Sequence, residues 1–404
     1  MLRRQLLLLA SMLVAAVTLV HSTVPHGRTL RVVPYPFIPE YKSVLFDIKR
    51  TFEALNPDIY LDITDLSSNY YSSTSANYIG NADADVYELD SVFLRDFVDS
   101  GKIQPLPAGA LIPEPDLLRN AIAGSQVGGV RYGAAHWVCG NFLFFSPADA
   151  NFSNAATLSD IERIIGSPSH SAGHGLVVDL KGKLTLGEFY LQSAFDRFKD
   201  WASVKAHLSS ADPAIINDLS RLVRLCDQGY CRSQAYHEDQ PSLYARQFAR
   251  RHASALVGYS ESLHEVLSET RQACTAADHC LSDADIDVIQ LQTGDAGAAQ
   301  VSWVDSFVMD KRCTGQCRDD ASKFIEFMNS DATYRMILLS EGPAPAYLLP
   351  AKRSLYGDAD VLKVAHLYPK LKGIIESAVA PYDSRLNESL RQLGSAIDSQ
   401  LPVP

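Results

Sequence analysis

TLRVVPYPFIPEYKSVLFDIKRTFEALNPDIYLDI, residues 29–63, reads as strand, helix and strand in succession. Thr29–Val33 is a short run rich in β-branched and apolar residues, as a strand is. Tyr41–Leu55 sets Val44, Leu45, Ile48, Phe52 and Leu55 on one helical face. Asn56-Pro57 then stops the helix. Ile59, Leu61 and Ile63 alternate with polar neighbours, so one side of the second strand is buried. The rhythm continues along the chain. Asp85–Leu89, Leu176–Val178, Ala255–Val257 and Val288–Leu291 read as further strands. Asp212-Pro213 opens a helix with Asp as N-cap and Pro at the first position. Its buried stripe is Ile215, Ile216, Leu219, Leu222, Val223 and Cys226. Asp319–Met328 and Ala332–Ser340 read as two late helices, the second broken by Gly342, Pro343 and Pro345. Strands alternating with helices predict an α/β protein of parallel sheets covered by helices.

The start of the chain bears on its compartment. Arg3 and Arg4 precede Leu6–Val20, an uncharged apolar run of about fifteen residues, the length of a signal-peptide core rather than a membrane span. The expectation is a signal peptide over residues 1–22, and no membrane association once it is cleaved. Its loss removes two positive charges and takes the formal charge from −11 to −13. That acidity argues against nucleic acid as a partner and suits, weakly, a cationic small molecule. About 380 remaining residues suffice for two lobes with separate cores.

The seven cysteines agree with export. Cys226/Cys231, Cys274/Cys280 and Cys313/Cys317 form three close couples around polar, turn-forming residues. Local disulfides are the simple reading for a secreted or periplasmic chain, although crossed pairings stay open. Zinc is disfavoured, because the couples lack C-x-x-C spacing and regular partner histidines. Cys139 is left over: buried and inert, paired between chains, or reactive. Asn151-Phe-Ser and Asn387-Glu-Ser are glycosylation sequons. Ser167–Gly175, with two histidines, reads as a polar loop rather than a metal site.

In open parallel sheets, ligands lie beyond the carboxyl ends of the strands. Those ends carry Tyr35 and Phe37 after the first strand, and Glu88 and Asp90 on the third. They also carry Cys139, Tyr259-Ser260-Glu261, and Trp303-Val304-Asp305. A thiol needs a base before it attacks, and a neighbouring carboxylate serves. Aromatic faces attract a cationic ring, and carboxylates accept from ring amino groups. The set suits a flat, cationic, amino-bearing heterocycle attacked by sulfur. Each member also has a structural role open to it: Tyr35 and Trp303 as packing, Asp90 and Asp305 as helix caps, Glu261 as a first-turn acid. His136, three residues before Cys139, points to the opposite face of an extended segment.

Four stretches carry a resemblance to a known scaffold: DADVYELDSVFLRDFVDSGKIQPL (83–106), GGVRYGAAHWVCGNFLFF (128–145), KFIEFMNSDATYRMILLSEG (323–342) and PAKRSLY (350–356). The chain resembles type II periplasmic solute-binding proteins over nearly all of its mature length. The implied fold is a two-lobed clamshell, each lobe a mostly parallel sheet flanked by helices, with the active site in the interlobe cleft. Residues 28–140 and 301–404 are expected in lobe one and 141–300 in lobe two. More narrowly, the chain is similar to thiaminase I, a secreted thiamine-degrading transferase of this scaffold. That resemblance implies Cys139 as nucleophile and Glu261 as catalytic acid/base. It implies Asp90 and Asp305 as pyrimidine-binding acids and Tyr35, Phe37, Tyr259 and Trp303 as the aromatic lining. Phe37 and Trp303 stand where the family pattern has tyrosine. The substrates implied are thiamine and a small nucleophilic amine or thiol. No metal or organic cofactor is expected, and a monomer is. A non-catalytic thiamine- or pyrimidine-binding protein is the alternative, and a different cysteine hydrolase is a second one.

Overall fold

A computed structural model describes residues 27–402, except 68–69, 73–78, 167–174, 227–229, 233–241, 276, 298–299 and 340–341. The expected leader and the two histidines of the 167–175 loop lie outside the described residues.

Two sheets organise the chain. The larger is built from β1 (Arg28–Val33), β2 (Ile59–Ile63), β3 (Val86–Asp90) and β4 (Ile103–Gln104). A small hairpin, β5 (Gln126–Val127) and β6 (Val130–Arg131), precedes its next strand, β7 (Gly133–Cys139). The chain then makes a second sheet from β8 (Phe142–Phe145), β9 (Leu176–Val177), β10 (Ala255–Gly258) and β11 (Asp287–Gln290). It returns to the first with β12 (Trp303–Asp310) and β13 (Leu349–Pro350). The large sheet has the order β13-β7-β12-β3-β1-β2, with β4 on β12; the small one has β11-β8-β10-β9.

The sheets are more mixed than expected. β1 is parallel to β2 and β3, as a strand–helix–strand unit dictates. β12, however, returns from the second sheet against the run of its neighbours and lies antiparallel to both β3 and β7. In the small sheet only β9 and β10 are parallel.

Local signals match the elements they predict. The helix Tyr41–Leu55 buries Val44, Ile48 and Phe52 against the sheet. Leu55, expected on the same face, is its last residue and is exposed. Asp212 caps the helix Pro213–Arg224 by accepting from the Ala214 N–H. The large sheet is buried on both faces. Leu30, Val32 and Phe307 pack into one apolar cluster, while Val33, Tyr87 and Val308 join another that runs on to the second sheet. The helix Leu386–Asp398, although within the stretch assigned to lobe one, packs along Lys183–Phe198 beside the small sheet.

Three crossings of the chain meet at one hinge. Gln300 donates its side-chain amide to the Asn141 carbonyl. The Val379 N–H donates to the Gln300 carbonyl at 2.7 Å, and the Ser302 N–H to the Val379 carbonyl at 2.9 Å. Gly140 is required there, since a Cβ would stand 2.7 Å from the Val301 carbonyl oxygen.

Cys226–Cys231, Cys274–Cys280 and Cys313–Cys317 are disulfides, the local pairing expected. Of the sequons, Asn151 is exposed, whereas Asn387 is buried with its amide donating to the Ser72 carbonyl. Among the described residues no helix is long and apolar enough to cross a membrane.

Candidate active site

Strand pairing brings the predicted residues together. Asp90, the last residue of β3, lies directly opposite Asp305 on β12. Two residues along, Trp303 lies opposite Cys139, the last residue of β7. One sheet edge therefore presents two acids and the free thiol, just where the chain leaves for the second sheet. From that sheet, the end of β10 supplies Tyr259 and Glu261.

Cys139 is the only cysteine outside a disulfide and is half-buried. Its sulfur lies 3.9 Å from the Trp303 carbonyl oxygen. Burial, and then the charges of Asp305, Asp90, Glu261 and Glu188, push the thiol well above its ordinary range. The resting sulfur is protonated. Burial also pushes Glu261 up to about 7, against hydrogen bonds from its own backbone N–H and the Ser260 hydroxyl. That places a carboxyl that titrates near neutrality beside a thiol that needs a base. Glu261 stands at the N-cap position of the helix Ser262–Gln272, yet its side chain makes no capping bond.

The two aspartates differ. Asp90 does cap its helix, Ser91–Asp99, accepting from the Val92 N–H at 2.9 Å. Its other oxygen takes the Tyr71 hydroxyl at 2.6 Å. Asp305 caps nothing: it lies within β12, is 1% exposed, and one carboxyl oxygen has no partner. Burial first, and the charge of Asp90 next, hold Asp305 well above the usual carboxylate range. Burial and the neighbouring carboxylate thus favour the protonated form of Asp305, a donor beside an acceptor.

Aromatic rings wall this edge. Tyr35 packs edge-on against Phe37 and Tyr70, with centroids at 5.7 and 5.5 Å. Phe37 stacks on Tyr71 at 5.4 Å and, 43% exposed, forms the open rim. The Tyr35 main-chain N–H donates to Glu88, whose other oxygen meets His136 Nδ1 at 2.6 Å. His136 packs against Trp137, Phe307 and Tyr334 in the core, so it is committed to Glu88 and not to sulfur. Trp303 is 3% exposed and packed in the second apolar cluster. It contributes a main-chain carbonyl to the thiol rather than an open ring face.

Sequence reasoning missed Tyr70, Tyr71 and Glu188. The adjacent tyrosines stand out in a polar, serine-rich stretch. Glu188 is a lone acid in the apolar run Leu186–Leu191 of the helix Lys183–Phe198, and both were readable as anomalies. Glu188 accepts the Tyr259 hydroxyl. Burial pushes it up to about 8, with Asp90 and Asp179 adding to that and the Tyr259 bond opposing it. Among the described residues no Lys, Arg or His pairs with Asp90, Asp305, Glu188 or Glu261. A site with four acids and no resident cation favours a ligand that brings positive charge or amino donors.

Residues 140–277 match the thiaminase-1 domain family. The curated thiaminase-1 of Paenibacillus thiaminolyticus is 25% identical over 350 residues, covering 83% of this chain and 79% of that protein. Clostridium botulinum thiaminase I, solved in complex with thiamin, superposes with a TM-score of 0.75 at 20% identity, covering 92% of this chain and 99% of that one. The sugar-binding protein MalE of Xanthomonas citri superposes with a TM-score of 0.65 at 15% identity, covering 92% and 96%. In sequence and in fold, this chain is similar to thiaminase I, built on the two-lobed scaffold of the periplasmic solute-binding proteins.

Proposed function

We propose that this protein is an exported transferase that degrades thiamine, exchanging the thiazole for an external base through a cysteine-bound pyrimidine. The observation that carries the reading is the unpaired thiol of Cys139 at the crossover, set among acids that include a carboxyl near neutrality. Three disulfides suit an oxidising compartment, and residues 1–22 would be the leader that takes the chain there. Lobe one would comprise 28–140 and 301–404, and lobe two 141–300, with the cleft between them.

Thiamine's aminopyrimidine lies against Asp305 and Asp90: the protonated Asp305 donates to a ring nitrogen and the ionised partner accepts from the amino group. Tyr35, Phe37 and Tyr259 flank the rings, and Trp303 supports the thiol. Glu261 takes the proton of Cys139. The thiolate forms a C–S bond at the electron-poor pyrimidine carbon next to the methylene bridge. The methylene C–N bond breaks, its electron pair leaving on a now neutral thiazole. Glu261 releases its proton to solvent and then accepts the proton of the incoming amine or thiol as that group attacks the methylene carbon. The C–S bond breaks, and Glu261 returns the proton to the departing sulfur. The sum is one base gained, one thiazole lost and one proton released.

The test mixes the purified protein with thiamine and aniline and follows the products by mass spectrometry. A pyrimidine–aniline adduct with free thiazole is expected, and the Cys139→Ser variant should form none. Thiamine recovered intact from a tight complex would overturn the transferase reading in favour of solute binding. Full turnover by Cys139→Ser would overturn the covalent step.

A further inference from the structure

The mechanism above uses three of the four acids of the cleft and leaves Glu188 without a task. Its position is built with care. The helix Lys183–Phe198 is locked to Leu386–Asp398 by two glycines in mutual contact. A Cβ on Gly187 would stand 2.2 Å from the Leu390 carbonyl oxygen, and one on Gly394 would stand 1.8 Å from that of Lys183. Glu188 follows Gly187 directly, so the interlock fixes where its carboxylate emerges. Most of its neighbours on the helix are apolar and buried: Leu186, Phe189, Tyr190 and Leu191. Glu188 meets Tyr259, beyond the end of β10, whose hydroxyl donates to it.

That hydroxyl fills one of several acceptor positions on a carboxylate. Asp90, Asp179 and Tyr259 face Glu188, and its own charge reaches Cys139. All are acidic or neutral groups, and no cation among the described residues pairs with it. A half-buried carboxylate without a counter-ion is costly to hold ionised unless a ligand supplies the charge.

Resting on the transferase reading, we propose that Glu188 is the counter-ion of the substrate's positively charged ring, and thereby makes this cleft prefer a cationic ligand. Tyr259 positions the carboxylate, and the ring's charge completes the pair. The attraction acts on the bound substrate. It is still present as sulfur adds to the pyrimidine, because the ring keeps its charge until the C–N bond breaks. Losing Glu188 therefore raises KM and leaves kcat in place.

The experiment measures ligand affinity by calorimetry in the Cys139→Ser protein, which holds thiamine without turning it over. The probes are thiamine, whose ring is cationic, and 3-deazathiamin, whose ring is neutral. Adding Glu188→Gln, which keeps the shape and still accepts the Tyr259 hydroxyl, should weaken thiamine about tenfold and 3-deazathiamin less than about twofold. In the Cys139 enzyme the same change should raise KM by a similar factor at constant kcat. Equal weakening of both probes would reduce Glu188 to a support for Tyr259, and unchanged thiamine binding would remove it from the site; either result overturns this inference alone. Failure of the Cys139→Ser protein to bind either probe would overturn the thiamine reading together with this inference.

Discussion

At the scale of single residues, the free thiol is placed where it cannot ionise unaided. Burial and four acids oppose the thiolate, so a base must remove the proton within the complex. Glu261, pushed up to about 7, must itself be ionised to act. kcat/KM should therefore rise with pH through about 7 and level off above it. Glu261→Gln should lower kcat/KM by about 10²–10⁴ and abolish that rise, which a pH–rate profile of both proteins checks. A limb that survives in the variant would move the base elsewhere. Asp305 makes a second case. One of its oxygens has no partner in the protein, and burial and the Asp90 charge favour its protonated form, a donor. Asp305→Asn keeps a donor while losing the coupling to Asp90, so substrate binding should weaken by about tenfold or less. Asp305→Ala leaves the ring nitrogen unpaired and should cost about a hundredfold in kcat/KM.

At the scale of elements, legibility in the sequence followed amphipathicity. Tyr41–Leu55 and Pro213–Arg224 carry one apolar face and one wet face, and their bounds follow from periodicity and caps. Lys183–Phe198 is buried nearly all round and shows no such period, whereas Leu386–Asp398 does carry an apolar stripe, Leu386, Leu390, Leu393 and Ile397, that went unread. With the first helix went Glu188. Cys139 and Asp90 were legible because they stand at carboxyl ends, where ligands gather; Asp305 instead stands near the amino end of β12, which reaches the same edge only because that strand runs antiparallel to its neighbours. Antiparallel pairing of β12, which sets Asp305 opposite Asp90, is a long-range fact that no local pattern encodes. The interlocked helices also support a stability prediction. Gly394→Ala forces a methyl into the Lys183 carbonyl and should destabilise by about 1–3 kcal/mol in urea unfolding. Cleft binding should weaken too, because the same contact aims Glu188. An unchanged midpoint would show that the helices separate freely.

At the scale of the whole molecule, the cleft acids set a slope of stability against pH. Glu261 at about 7 and Glu188 at about 8 bind protons more tightly in the folded protein than in the unfolded chain. Their contribution is fully present below their unfolded values, near 4.5, and is lost as pH rises through the folded ones. The surface aspartates work in the opposite sense. Asp160, held at about 2 by Arg163, Thr157 and a backbone N–H, has its contribution in place above about pH 4 and loses it only in acid. Asp358, lowered by Arg335, behaves the same way. Between pH 5 and 8 these surface pairs are saturated, and the cleft acids alone of these two groups still titrate. The ligand-free protein should therefore have its highest Tm near pH 5 and lose stability steadily toward pH 8. The variant carrying both Glu188→Gln and Glu261→Gln removes two of the groups that must ionise and leaves Asp305, also raised, in place, so its Tm should fall less steeply than the parent's across that window and exceed it at pH 8. Scanning calorimetry at half-unit pH steps reads both curves. A parent Tm that climbed from pH 5 to 8 would mean that the cleft acids are ionised in the free protein, with the four charges held apart by an open cleft.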